Sequence, residues 1–243
     1  MTVVAALGDS LTCGEGVGVR IDPTMTWAGL VAGALPNGRL VRLASAGARA
    51  RDVRLRQLPE LPDQVDLVTL LVGLNDVARA GFEPAAVRAD LLAVVAELRT
   101  RDVEVLLARL HDPAALLPLP SRVAGAARVR VAAVNAAVDT AASWPGVRVF
   151  DLALVPALSQ PGGWSVDRVH PSAAGHQGIA AAALRGLLDG GCHHPTVLAE
   201  PVMPRGPTPV ARGWWTVRHG LPYAANHLRD LGGPVAASVL HRD

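Results

Sequence analysis

The sequence predicts an α/β domain in which helices cover both faces of a parallel sheet. Short apolar runs alternate along the chain with longer segments of helical periodicity, which is the pattern of successive strand–helix units. The runs are apolar throughout, as expected of strands that are buried on both faces. The predicted strands are Val3–Leu7, Leu40–Ala44, Leu67–Val72, Val103–Ala108 and Val147–Phe150. The predicted helices are Trp27–Leu35, Asp52–Leu58, Pro84–Arg99, Ser121–Ser143 and Ser172–Leu188.

A C-terminal extension is predicted to follow this domain. The 243 residues suffice for one domain with a full core and an appendage. Gly190-Gly191 suits the end of the last helix. The prolines that follow indicate an extended connector: Pro195, Pro201, Pro204, Pro207 and Pro209. Residues 211–231 then combine apolar and aromatic side chains with Arg and His. Parts of this stretch suit a basic amphipathic helix, which Gly220 and Pro222 should break or kink. We therefore expect a domain over residues 1–190 and a Pro-rich and helical extension over residues 191–243.

Composition and charge argue against several classes of protein. The formal net charge is only +2, all 23 basic side chains are Arg, and no basic stripe is interleaved with aromatic residues, so we expect no nucleic-acid partner. No apolar run reaches about 18 residues, the length of a membrane span. No charged region precedes the first apolar run, so we expect no signal peptide and a cytoplasmic location. Cys13 and Cys192 have no metal-site spacing and form no disulfide framework, and we expect both to be reduced.

The strongest functional signal is a serine directly after the first predicted strand. Gly8-Asp9-Ser10-Leu11 places the Ser10 hydroxyl at the carboxyl end of a buried strand. A serine hydroxyl is a weak nucleophile that needs a neighbouring base, and a third group has to orient that base. Asp167 and His170 lie three residues apart just before the last helix, so one tight loop can bring the carboxylate against the imidazole. These three residues are the candidate catalytic groups.

A tetrahedral intermediate also needs hydrogen-bond donors for its oxyanion. Glycine and asparagine occur where such donors are expected, near the ends of the second and third predicted strands. The candidate oxyanion hole consists of the backbone N–H groups of Ser10 and Gly47 and the side-chain amide of Asn75. Each segment taken alone is an ordinary turn, but all of them occur in one chain, each at the end of a strand or in a loop.

These segments resemble the SGNH, or GDSL, hydrolase family in order and spacing over residues 1 to about 190. The matching blocks are Gly8-Asp9-Ser10-Leu11, Gly47, Gly73-Leu74-Asn75-Asp76 and Asp167-Arg168-Val169-His170-Pro171. The resemblance implies a flavodoxin-like fold of three layers, α/β/α. It also implies that Ser10 is the nucleophile, that Gly47 and Asn75 are oxyanion donors, and that His170 is the base with Asp167 as its partner.

Other sites are less well supported. Gly8-Asp9-Ser10-Leu11-Thr12 lacks the last glycine of the nucleophile elbow of α/β-hydrolases. Gly14-Glu15-Gly16-Val17-Gly18 has its third glycine one position too early for a dinucleotide site, and we expect it to form a rim of the active site. His176 and the pair His193-His194 have no convincing set of further ligands, so no metal is expected. His111 and Asp112 follow the fourth strand and are expected to have a plain loop role.

The sequence therefore predicts a serine hydrolase that cleaves carboxylic esters through an acyl-enzyme and needs no cofactor. An acyltransferase or deacetylase that uses the same residues on a small-molecule or carrier-bound acyl group remains an alternative. So does a non-catalytic interaction protein that functions through its extension. The apolar stretch Pro113–Pro120 can line an acyl pocket or a lid, or simply pack as a loop. For Trp214 and Trp215 we expect packing more than attachment to a membrane surface.

Overall fold

The computed structural model describes residues 1–16, 18–117, 119–189 and 195–222. Its main sheet has five parallel strands, and their ranges are β1 Val3–Gly8, β4 Arg39–Arg42, β5 Leu67–Leu71, β6 Glu104–Arg109 and β7 Val147–Asp151. A separate hairpin is formed by β2 Glu15–Gly16 and β3 Val19–Arg20. The five predicted strands are thus present, each within two residues of its expected ends, whereas the hairpin was not predicted.

The helices follow the predicted alternation. The helices of the main domain are α1 Ser10–Cys13, α2 Trp27–Ala34, α3 Ala50–Asp52, α4 Leu74–Ala78, α5 Pro84–Thr100, α6 Ser121–Ala142 and α7 Ala173–Asp189. Helix α3 continues as one π turn over Val53–Gln57 and one 3-10 turn over Leu58–Glu60, which together replace the predicted regular helix Asp52–Leu58. The residues predicted to end the last helix, Gly190-Gly191, lie outside the described residues.

The sheet order is β4-β1-β5-β6-β7, with every neighbouring pair parallel. Counted along the chain without the hairpin, this is the flavodoxin-like order 2-1-3-4-5. After β4 the chain crosses to the other side of β1, so the strand order reverses between β1 and β5. In open α/β sheets, ligands bind outside the carboxyl ends of the strands at such a reversal. The topology therefore predicts a ligand site among the loops that follow β1, β4 and β5.

Helices α2 and α7 contact each other on one face of the sheet, and α5 and α6 contact each other on the other, which confirms the three-layer prediction. The core is aliphatic except for a few rings, among them Trp27 and Phe150, whose centroids lie 5.5 Å apart in an edge-on arrangement. The expectation that every strand is covered on both faces is wrong for β4. Its residues are exposed or half-buried because it forms the edge of the sheet.

The described part of the C-terminal extension lies along the main domain. The N–H of Thr196 donates to the carbonyl of Ala34 at 2.7 Å, and Leu198 and Met203 pack against the core. Residues 195–208 have no regular secondary structure, and helix α8, Pro209–Trp215, follows and continues as a π turn over Thr216–Gly220. The rest of the predicted amphipathic helix lies outside the described residues. No helix in the described ranges is long and apolar enough to cross a membrane.

Candidate active site

Ser10 lies at the first position of α1, directly beyond β1. All residues of β1 are buried, and the side chain of Asp9 caps α1 by accepting the N–H of Leu11 at 3.0 Å. Gly8 has a φ of +133°, and a Cβ atom there would lie 2.1 Å from the carbonyl oxygen of Leu71. Only glycine fits this close approach of two strands. Ser10 is 8% exposed, at the end of a strand whose backbone is held firmly.

Gln57 is a buried residue of this site that the sequence analysis missed. Its Oε1 accepts the N–H of Gly8 and its Nε2 donates to the Gly8 carbonyl, both at 2.8 Å. The same Nε2 lies 3.3 Å from Oγ of Ser45 in the loop after β4. One amide side chain therefore joins the end of β1 to the neighbouring loop. A single glutamine in a helical segment carries no sequence signal for this role.

Two of the proposed oxyanion donors are Gly47, in the loop after β4, and Asn75, in helix α4 after β5. Gly47 has a φ of +78°, and a Cβ atom there would meet open space, so the backbone conformation and not crowding favours glycine. The Asn75 amide donates to the carbonyl of Ala48 at 3.0 Å and to Oδ2 of Asp9 at 3.4 Å. These contacts place Asn75 beside Asp9 and Ala48, which are adjacent in sequence to Ser10 and Gly47. In the part of the chain that the structure describes, the N–H groups of Ser10 and Gly47 donate no hydrogen bond.

Asp76, in helix α4, links that helix to the start of α3. Its Oδ2 accepts the N–H of Ala50 at 3.1 Å. Burial raises the pKa of Asp76 to about 6, while the hydrogen bond from Ala50 acts in the opposite direction. This carboxyl group thus has a structural contact of its own, and it holds the start of α3 against α4.

Asp167 and His170 meet in the loop before α7. Oδ2 of Asp167 lies 2.5 Å from Nδ1 of His170, and Oδ1 accepts the backbone N–H groups of Val169 and His170, each at 3.0 Å. Burial acts to raise the pKa of Asp167, but the hydrogen bonds and the charge of His170 outweigh it and lower that pKa below its usual value. The carboxylate is therefore ionised at neutral pH and orients the imidazole. Nε2 of His170 is buried and has no hydrogen-bond partner among the described residues.

Arg168, between these two residues, has a φ of +59°. This left-handed backbone lets the loop turn back within three residues so that Asp167 faces the ring of His170. Such a conformation is uncommon for a residue other than Gly, Asn or Asp, and it carries a modest energetic cost.

Gly16 of the β2–β3 hairpin covers the ring of His170. A Cβ atom on Gly16 would lie 2.4 Å from both Cε1 and Nδ1 of that ring. The sequence predicts a glycine-rich rim here, and in the structure Gly16 of two short paired strands lies against the imidazole. Close approach to an aromatic ring explains why position 16 has no side chain.

Asp9 is fully buried beside these groups. Burial raises its pKa to about 7, and the charge of Asp76 acts in the same direction. The hydrogen bond from the N–H of Leu11 and the charge of His170 act to lower that pKa. Burial thus favours the protonated form of Asp9 directly next to Ser10. The Gly-Asp-Ser-Leu segment by itself does not indicate this property of Asp9.

A pocket of about 280 Å³ adjoins the Asp167–His170 loop. Its lining includes Leu116, Leu158, Trp164, Arg168 and Arg212. Leu116 belongs to the apolar stretch that was expected to line an acyl pocket or a lid. Pro118 of that stretch lies outside the described residues.

His111 and Asp112 lie near this pocket without forming part of its lining. The His111 ring lies 5.0 Å from that of Trp164, and burial lowers the His111 pKa to about 4, so this ring is neutral. Asp112 caps a 3-10 turn by accepting the N–H of Ala114 and pairs with Arg128. His176 accepts the N–H of Trp27, and burial lowers its pKa to about 3.

No cluster of three or more metal-ligating side chains occurs in the described ranges. Cys13 is a buried free thiol. The residues His193-His194 and Cys192 lie outside the described part.

Trp215 stacks loosely on His219, with ring centroids 6.4 Å apart, whereas Trp214 is 69% exposed. Packing of the pair within the described residues is therefore limited to Trp215.

The fold has many counterparts among solved structures. TesA aligns with a TM-score of 0.61 at 20% identity, over 76% of this chain and 98% of that chain. The psychrotrophic esterase EstA from Pseudoalteromonas sp. aligns with a TM-score of 0.59 at 16% identity, over 78% and 98% of the two chains. The extracellular lipase from Streptomyces rimosus aligns with a TM-score of 0.56 at 22% identity, over 76% and 99%. At these identities the likeness concerns the fold, which is the SGNH hydrolase fold.

In this fold the chain has a serine at the end of β1 and an Asp–His pair in the loop before α7. The model of the GDSL-like lipase/acylhydrolase family matches residues 6–177. The chain belongs to that family and is a carboxylic ester hydrolase. A search of the curated proteins found no match.

Proposed function

We propose that the chain cleaves carboxylic esters of small molecules through an acyl-enzyme formed on Ser10. The observation that carries this proposal is the Asp167–His170 pair, with Nδ1 held by the carboxylate and Nε2 left free to accept a proton. This arrangement selects the tautomer in which Nε2 is the base.

In the first step, Ser10 Oγ attacks the ester carbonyl while Nε2 of His170 takes its proton. Negative charge develops on the carbonyl oxygen, and the N–H groups of Ser10 and Gly47 and the amide of Asn75 stabilise it. Each such donor contributes about 2.7–4 kcal/mol to lowering the barrier in enzymes where one was removed. The intermediate collapses as His170 gives its proton to the leaving alcohol. Asp167 stabilises the imidazolium throughout.

In the second step, water replaces the alcohol. His170 removes a proton from the water, and the oxygen attacks the acyl carbon. The second intermediate collapses as His170 gives that proton to the departing Ser10 Oγ, which releases the carboxylic acid and restores the free enzyme. The protein supplies nucleophile, base and oxyanion donors from its own side chains and backbone. We assign this chemistry to the domain over residues 1–190, and we assign the extension from residue 191 an accessory role at the rim of the site.

A chain-length series of p-nitrophenyl esters, from acetate to palmitate, tests this proposal. Ser10→Ala is expected to reduce kcat by about 10⁴-fold or more, because loss of the nucleophile removes the acyl-enzyme route. Ser143→Ala, at an exposed serine that ends α6, is the matched control and should keep wild-type activity.

A covalent probe gives the second measurement. An alkyl fluorophosphonate should label the wild-type protein once, and mass spectrometry should locate the label on the peptide that contains Ser10. Turnover that survives Ser10→Ala, or a label on another residue, would contradict the proposed mechanism.

A further inference from the structure

Two arginines from distant parts of the sequence line the pocket beside the Asp167–His170 loop. Arg168 comes from that loop and Arg212 from helix α8 of the extension. The lining contains no acidic residue, and in the described part of the chain neither guanidinium has an acidic partner. Two unneutralised positive charges that share one pocket repel each other, so an anion placed between them is attracted by both.

The Arg212 side chain also has a buried polar atom without a partner in the described part of the chain. Its Nε is buried and has no hydrogen-bond partner among the described residues. A buried donor on a charged group that lacks an acceptor is costly, and it marks a place where an acceptor from outside the chain would be stabilised. The other arginine on this helical segment, Arg218, is exposed and does not line the pocket.

Close contacts between the connector and the main domain fix the position of α8. The carbonyl of Pro204 lies so close to Gly162 that a Cβ atom there would be 2.0 Å from its oxygen, and Gly206 similarly approaches Pro161. Thr208 then caps α8 by accepting the N–H of Ala211 at 3.2 Å. The connector thereby delivers Arg212 to the pocket wall.

The pocket lies beside the loop that carries His170. The N–H of Ser165, a lining residue, donates to the carbonyl of His170 at 2.8 Å, and Trp164 forms a β-bridge with Pro171. The Cα atoms of Arg168 and His170 are at most about 7 Å apart, because they are only two positions apart in the chain. A group bound between the arginines would therefore lie close to the loop that carries the imidazole.

We propose that Arg168 and Arg212 bind a carboxylate or phosphate group of the ester substrate, so that this hydrolase prefers anionic esters. This inference rests on the proposed function and names a substrate class for the same site. Planar guanidinium groups match both anions through paired hydrogen bonds. The role of the extension is then to supply half of the binding site for that group.

Two matched pairs of esters test the proposal. Mono-(4-nitrophenyl) glutarate against 4-nitrophenyl butyrate places the charge on the acyl side, and 3-acetoxybenzoate against methyl 3-acetoxybenzoate places it on the leaving side. For each protein, the ratio of kcat/KM for the anionic ester to that for the neutral ester is measured. Comparison of this ratio between variants cancels the intrinsic reactivities of the esters.

In at least one pair, Arg212→Gln should lower the ratio about tenfold relative to wild type, as expected for loss of a charge-assisted hydrogen bond. Arg168→Gln should lower it in the same pair, and added salt should lower it in wild type. Arg218→Gln, the same change at an exposed position of the same segment, should leave the ratio unaltered. An unaltered ratio for Arg212→Gln in both pairs overturns the proposal.

Failure of the proposed function gives a different result. If no ester shows turnover that depends on Ser10, the hydrolytic mechanism is wrong. Whether Arg168 and Arg212 form an anion site is then tested by binding measurements alone. Calorimetry with glutarate and with inorganic phosphate at low ionic strength then supplies the readout. Binding that Arg212→Gln abolishes and Arg218→Gln retains supports the site, and absence of binding to wild type overturns it.

Discussion

Oδ2 of Asp167 lies 2.5 Å from Nδ1 of His170, and the other oxygen of the same carboxylate accepts the backbone N–H of His170 at 3.0 Å. The carboxylate thus holds both the ring and the main chain of the proposed base. Orientation of the imidazole and the shape of the loop depend on one side chain. This double contact makes Asp167 a sensitive position for mutation.

Asp167→Asn should keep the loop but lose the orientation of the proton. An amide can donate to Nδ1, and the imidazole then presents an N–H instead of a lone pair at Nε2, so kcat should fall by about 10⁴-fold, as in a serine protease with the equivalent change. Steady-state kinetics with p-nitrophenyl butyrate provides the measurement, and Asp63→Asn, at an exposed loop carboxylate, is the control. Activity within tenfold of wild type would contradict the role of Asp167 as the partner of His170.

Gly16→Ala should displace the ring of His170. The new Cβ atom would lie 2.4 Å from two ring atoms, so the imidazole or the hairpin has to move. Misplacement of a catalytic group by about 1 Å can cost about 100-fold in rate, and a fall in kcat of that size is expected with little change in Tm.

The control for this change is Gly33→Ala in α2, where a Cβ atom meets nothing within 4 Å. That variant should keep wild-type kcat and gain up to about 1 kcal/mol of stability, since alanine favours a helix over glycine. Equal activities of Gly16→Ala and Gly33→Ala would show that the hairpin does not constrain His170.

Gln57→Leu should weaken the end of β1. The change leaves the buried N–H of Gly8 without its acceptor, and a loss of about 1–3 kcal/mol in the free energy of unfolding is expected. Urea unfolding measures this loss. A fall in kcat should accompany it, because Gly8 is two residues from Ser10.

The control Gln177→Leu removes a hydrogen bond at the surface and should lower the free energy of unfolding by less than about 1 kcal/mol. Equal stability of the two variants would argue against Gln57 as the link between the loops.

Asp9→Asn should change how stability depends on pH. The pKa of Asp9 is about 7 in the folded protein, against 3.8 for an aspartate carboxyl in water, which represents the unfolded chain. Between these values the folded state binds a proton that the unfolded state lacks, so the contribution of Asp9 to stability falls as pH rises through this window. The fall is on the order of 4 kcal/mol at most, at 1.36 kcal/mol for each pKa unit.

Asparagine carries no charge and can still cap α1, so the slope should flatten in Asp9→Asn. Denaturant unfolding at intervals from about pH 4 to about pH 8 measures it. Asp63→Asn should retain the wild-type slope because its carboxylate is exposed. A slope for Asp9→Asn that matches wild type would show that Asp9 is ionised in the folded protein at all these pH values.

The residues proposed to perform the chemistry were predictable from sequence because of where they lie in it. Ser10 follows the first apolar run directly, and Asp167 and His170 are neighbours in sequence, so their contact needs only one loop. The contacts between distant segments around these groups were not predictable. Gln57 contacts Gly8 across 49 positions, and Arg212 and Arg168 line one pocket from two parts of the chain that no local pattern connects.

The sequence by itself determined the family, the α/β class and the position of each strand of the main sheet, since these follow from local periodicity and short motifs. The tertiary structure decided that β4 is an exposed edge, that Gly16 covers His170, and that the extension reaches the pocket beside the Asp167–His170 loop. It also raised the pKa of Asp9, because burial is a property of the whole fold. Short-range order is encoded in spacing and composition, whereas contacts between distant segments depend on how the layers pack.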